Sequence, residues 1–121
     1  MSKSPFVHVE LSSVDHDMMK KFYGGIFGWN FEDFPEANYV TFTAGEDSLG
    51  GGFNPVTDEN PAGTVVNYIQ CDDIKAALAL IESHGGKAIM EPMPVPGVGQ
   101  IAHFVDPSGN LLSILQPEMP D

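Results

Sequence analysis

Two halves of this sequence repeat one another at a spacing of 58 residues: Asp15, Phe22, Tyr23, Gly28 and Phe31 match Asp73, Leu80, Ile81, Gly86 and Ile89. Such a repeat means one supersecondary unit used twice, and it constrains the order of elements before any of them is considered alone. In the first copy, Phe6, His8 and Glu10 alternate with Val7, Val9 and Leu11, the pattern of a half-buried strand. Asp15 and Asp17 suit a helix start, Met19, Phe22, Tyr23, Ile26 and Phe27 recur at helical spacing, and Gly28 supplies a stop. Strand-like runs follow at 29–34, 38–44 and 48–54, punctuated by Pro35, Gly45 and Pro55.

The turn-rich stretch 55–63 reads as a linker, after which the pattern restarts. Val65 to Cys71 reads as a strand, Asp72 and Asp73 open a helix with Ile74, Ala77, Leu78 and Ile81 as its apolar stripe, and Gly85-Gly86 ends it. Further strands are expected at 87–91, 99–105 and 111–116, and the proline-rich stretch 90–99 is expected as a loop or an edge. The order strand, helix, three strands, used twice, predicts an α+β fold with mixed sheets, helices on one face and the other face open as a cup. The expected boundaries are module one at 5–54 and module two at 64–117 of a single 1–121 domain. A module of about sixty residues is small for a core of its own, so the two are expected to pair.

Charge narrows the partners. The chain has 17 Asp plus Glu against 5 basic residues, a net charge of -12, and all five basic residues are lysines. Without arginine, and with that acidity, neither nucleic acid nor an anionic membrane is expected as a partner, and polyphosphate ligands are disfavoured. No apolar run suits a signal peptide or a membrane span, and Cys71 has no second cysteine to pair with, so a cytoplasmic protein is expected. Cys71 has no visible cationic neighbour and is expected to be inert. His16 and His84, at helix ends, are expected at the surface, and Met18 and Met19 are expected as packing residues.

His8 and Glu10 share a strand face, so an imidazole and a carboxylate point together at the cup, suited to orienting a small ligand or to acid/base work. The turn Asp106-Pro107-Ser108-Gly109-Asn110 is by itself only a hairpin connection. Combined with Val7-His8-Val9-Glu10-Leu11, Phe22-Tyr23-Gly24-Gly25-Ile26-Phe27-Gly28-Trp29 and Ile81-Glu82-Ser83-His84-Gly85-Gly86-Lys87, it resembles the vicinal oxygen chelate superfamily. That superfamily includes glyoxalase I, bleomycin-resistance and fosfomycin-resistance proteins and extradiol dioxygenases.

The resemblance implies paired βαβββ modules around a cavity, commonly completed as a homodimer. In metal-dependent members, the first and last strands of each module each supply one ligand. Here the first-strand position is His8, its counterpart in module two is read as Asn67 by allowing a one-residue difference in the loop, and the last strands offer 48–53 without a carboxylate and Ser113. An amide, a glycine and a serine are poor partners for His8 around a transition ion, so no cofactor is expected, a divalent metal is disfavoured, and Glu10 is the one substitute carboxylate. His103 takes a position that faces substrate in fosfomycin-resistance relatives, and alternation places it with Ser113. The expected ligand-binding set is therefore His8, Glu10, Asn67, His103 and Ser113, binding a small organic molecule without a complete metal site. The alternative is a glyoxalase-like lyase or isomerase acting on a small carbonyl compound, with His8 and Glu10 in the active site and Glu10 and His103 as the expected catalytic residues.

Overall fold

In the computed structural model of the chain, which describes residues 3–118, the first repeat runs β1 (Phe6–Ser13), α1 (His16–Phe27), β2 (Asn30–Phe34), a 3-10 turn at Pro35–Ala37, β3 (Tyr39–Thr43) and β4 (Gly51–Pro55). Asp15 caps α1 from an extended backbone, its carboxylate accepting from the Met18 N–H, and Gly28 ends the helix in the left-handed region at φ 72°. The strands lie in the order β2-β3-β4-β1, with β1 and β4 parallel and the other pairs antiparallel. A parallel pair needs a long crossover, which α1 and the β2-β3 hairpin supply.

The face of this sheet toward α1 carries the core: Val40, Phe42 and Phe53 are buried, with Leu11, Met19, Tyr23, Trp29 and Phe31 packed against them. Trp29 is stacked between Tyr23 and Phe42, with ring centroids 4.7 and 4.4 Å apart. Gly51 makes room for this aromatic mass, since a methyl group there would overlap the Phe42 ring and the Val9 carbonyl. Met18 does not join the core as expected. One residue before Met19 it is turned about 100° around the helix, and it is 60% exposed.

The second repeat runs β5 (Val65–Gln70), α2 (Ile74–Ser83), β6 (Lys87–Ala88), β7 (Met93–Val95), β8 (Gly99–Val105) and β9 (Leu111–Pro117). Its strands lie in the order β5-β9-β8-β6, with β5 and β9 parallel and β7 also paired to β8. Asp73 caps α2 by accepting from the Ala76 N–H, and the Gln116 side-chain oxygen accepts from the Ile74 N–H at 2.8 Å. Cys71, Ile74, Ala102, Phe104 and Ile114 form the core on the α2 side. In the β8-β9 turn the Asp106 carboxylate accepts from the Ser108 and Asn110 N–H groups and from the Asn110 side chain.

Two details depart from the pattern read in the sequence. The run expected at 87–91 is a two-residue strand, and the proline-rich stretch contributes β7, an edge strand, where a missing proline N–H costs no central ladder bond. The left-handed glycine after α2 is Gly85, at φ 94°, with Gly86 following it. The fold is α+β, two modules built on the order βαβββ, the second with the short edge strand β7 in addition, each with one helix on one face of a mixed sheet. Val7–Val66 forms one compact unit, and among the described residues 67–118 form the other together with 3–6. No helix among the described residues is long and apolar enough to cross a membrane.

Candidate functional site

On the module-one face away from α1, β1 and β4 pair at Glu10 and Gly52, and β4 and β3 pair at Gly52 and Thr41. Tyr39, two residues before Thr41, lies on that same face. Its ring crosses Gly52, where a methyl group would overlap the ring and its hydroxyl. This carries the phenol oxygen to 2.9 Å from His8 Nε2 and 3.1 Å from Glu10 Oε2. A carboxylate only accepts, so the single phenolic proton goes to Glu10 and His8 donates its Nε2–H to the phenol oxygen. Asn54 Nδ2 donates to the other Glu10 oxygen at 3.1 Å, and Asn60 Nδ2 holds the following loop by donating to the Asn54 and Pro55 carbonyls. Burial pushes the His8 pKa below its ordinary value, which keeps the imidazole neutral.

In module two, Tyr68, Ser113 and His103 stand in register across β5, β9 and β8, on the face away from α2. Ser113 is fully buried and donates its hydroxyl to the Ala102 carbonyl at 3.0 Å. The Tyr68 ring meets His103 edge-on, with centroids 6.4 Å apart. His103 Nδ1 is buried and has no hydrogen-bond partner among the described residues, and burial lowers the His103 pKa.

The structure therefore brings His8 and Glu10 together in one module and His103 and Ser113 together in the other. Asn67 joins neither set: alternation along β5 puts it with Ile69, which packs on the α2 side. The position matching His8 is Val66. Each stands seven residues before its helix cap, Asp15 or Asp73, so the loops do not differ in length. By the same register Gly52 matches Ser113, since each pairs with the residue two beyond His8 or Val66, namely Glu10 or Tyr68. Tyr39 and Asn54 stand outside the expected ligand-binding set. The visible signal was Gly52, whose missing side chain leaves room for a ring from the neighbouring strand. Cys71 is buried, and burial followed by the charges of Asp72 and Asp73 pushes its thiol pKa up, away from the reactive thiolate. His84 is exposed as expected, but His16 is half-buried and bonded on both nitrogens.

Comparison with known proteins decides the family. The sequence matches the family model for the Glyoxalase/Bleomycin resistance protein/Dioxygenase superfamily over residues 6–114. The chain belongs to that superfamily. It is 30% identical over 113 residues to a glyoxylase-like domain-containing protein of Didymella fabae, covering 88% of each chain. It is also 30% identical over 122 residues to the anthracycline biosynthesis protein DnrV of Streptomyces peucetius, covering 87% of this chain and 44% of DnrV. The chain likewise spans 42% of CFP32 of Mycobacterium tuberculosis, to which it is 32% identical over 111 residues. It thus spans less than half the length of these two curated relatives. Among solved structures, methylmalonyl-CoA epimerase from Mycobacterium tuberculosis shares the fold with a TM-score of 0.71 at 14% identity, covering 94% of this chain and 88% of that one.

In the superfamily's metal-dependent members the four ligand positions would fall here on His8, Gly52, Val66 and Ser113. These residues do not fit a transition ion: the glycine and valine side chains offer no donor, and Ser113 offers only a neutral hydroxyl, a poor transition-metal ligand. His8 holds its Nε2 proton toward Tyr39, and Glu10, the substitute carboxylate, has both oxygens engaged. Among the described residues no three His, Cys, Asp or Glu side chains gather as a metal site would require.

Proposed function

We propose that this protein binds a small, neutral, carbonyl-bearing organic molecule on the open face of module one, without a resident metal. The observation that carries the reading is the Tyr39 hydroxyl held between His8 and Glu10, in a ligand-bearing superfamily, at the place a metal site would need donors. A phenol positioned by an imidazole and a carboxylate meets a ligand carbonyl by turning its proton from Glu10 to that oxygen, and its remaining lone pair can accept from a ligand hydroxyl. The acidic, arginine-free chain disfavours anionic ligands. A neutral aromatic diketone such as 1-phenyl-1,2-propanedione is a suitable probe, and it should raise the melting temperature in proportion to its binding. Tyr39→Phe removes one hydrogen-bond partner and should weaken the probe's affinity by about tenfold, roughly the value of one such bond. An equal response from wild type and Tyr39→Phe would contradict this assignment.

A second reading, an isomerase- or lyase-type enzyme, is favoured by the same geometry. Glu10 and Tyr39 form a base and an acid in direct contact, a pair suited to removing a proton next to a carbonyl and stabilising the oxygen. In D2O the wild type would then speed deuterium uptake at the methyl group of the diketone, and Glu10→Gln would abolish the increase. Binding without accelerated exchange would leave the protein a binder.

A further inference from the structure

A separate arrangement stands where β1 meets α1. Ser13, the last residue of β1, is 3% exposed, and His16 is the first residue of α1. His16 Nε2 lies 2.9 Å from the Asn38 backbone oxygen, and its Nδ1 lies 2.7 Å from Ser13 Oγ. A carbonyl oxygen can only accept, so Nε2 carries the proton. In the neutral imidazole Nδ1 is then a bare lone pair, and Ser13 donates its hydroxyl proton to it. Asn38 holds its carbonyl in place from a left-handed turn at φ 49°, its N–H bonded to the Pro35 carbonyl. The His16 ring also lies 6.4 Å from the ring of the fully buried Phe53. This is a hydroxyl hydrogen-bonded to a base whose other nitrogen is fixed by a third group, the geometry that activates a serine nucleophile.

Ser13, His16 and Asn38 line one pocket of about 240 Å³, walled by Val14, Asp17 and Pro55. We propose that Ser13 and His16 form the nucleophile and general base of a second site, one that accepts the acyl group of a small neutral ester. Ser13 Oγ bonds to the carbonyl carbon while its proton passes to His16 Nδ1. The tetrahedral intermediate then collapses, the ester C–O bond breaks, and the leaving alkoxide takes that proton, leaving acyl-Ser13 and neutral His16. Water attacks the acyl group in the reverse sense, releasing the carboxylic acid. Asp15 takes the N–H groups of Met18, with its carboxylate, and of Met19, with its carbonyl, which leaves those of His16 and Asp17 at the start of α1 as donors for the oxyanion. Asp15 and Asp17 beside the pocket turn away anionic substrates.

The full chain treated with p-nitrophenyl acetate tests this. Peptide mapping should place the acetyl group on Ser13, accompanied by a stoichiometric burst of p-nitrophenolate. Ser13→Ala should lose the burst, and His16→Gln should slow it by about a hundredfold or more, the low end of general-base catalysis. Near-UV circular dichroism from Trp29 reports whether the variants are folded. If His16→Gln fails to fold, the position of the acetyl group on the wild type decides alone. Acetylation confined to lysines, or a burst that persists unchanged in Ser13→Ala or in folded His16→Gln, overturns the proposal.

Discussion

With no side chain at position 52, the Tyr39 ring lies across β4 and places its hydroxyl between His8 and Glu10. Gly52→Ala inserts a methyl group into that ring, so either the strand or the phenol must move. We expect a loss of about 1–3 kcal/mol, the usual cost of overpacking, read from urea unfolding followed by Trp29 fluorescence; an unchanged midpoint would contradict the packing. The buried histidines set a pH dependence. Burial lowers the folded pKa of His8 and of His103, so below the ordinary histidine value of about 6.5 the unfolded chain binds protons the folded chain refuses. Stability is therefore full above that pH and falls as pH drops toward the folded values. A His103→Gln variant should lose less stability between pH 7 and 5 than wild type, in denaturant titrations at each pH. At this scale His8 and Glu10 were legible, because strand alternation shows which side chains share a face. Tyr39 was not, because its place depends on the register of the neighbouring strand β4 and on the glycine that strand carries at position 52.

At the scale of elements, the caps were the most legible feature. Residue type alone marks Asp15 with Asp17, and Asp72 with Asp73, as helix starts; of these, Asp15 and Asp73 are the caps, each accepting a hydrogen bond from the N–H three residues on. Asp15→Ala and Asp73→Ala should each cost about 1 kcal/mol, whereas Met18→Lys, on the exposed side of α1, should stay within about 0.5 kcal/mol. Thermal unfolding of the three variants separates these outcomes, and a large loss in Met18→Lys would place that side chain in a packed interface. The misplacement of Asn67 has a simple cause. Allowing one extra residue in a loop shifts a strand reading by one, which moves every side chain to the other face. Counting back from the two caps instead leads to Val66.

For the whole molecule, the 58-residue repeat foretold the two βαβββ modules, and four short motifs pointed to the superfamily that the family match then established. The reaction was not legible in the same way, because one scaffold serves lyases, isomerases, dioxygenases and binders, and only the side chains on the open face distinguish them. We propose a homodimer in solution, so light scattering should return twice the 13.0 kDa chain mass, and a monomer at all concentrations would contradict that. The central claim is that this member of the superfamily works from a phenol, an imidazole and a carboxylate in place of a metal centre. Elemental analysis of protein purified without chelator tests it most directly. Substoichiometric nickel, zinc, iron and manganese are expected, indistinguishable between wild type and His8→Ala. One equivalent of any of these metals in the wild type, lost in His8→Ala, would contradict it.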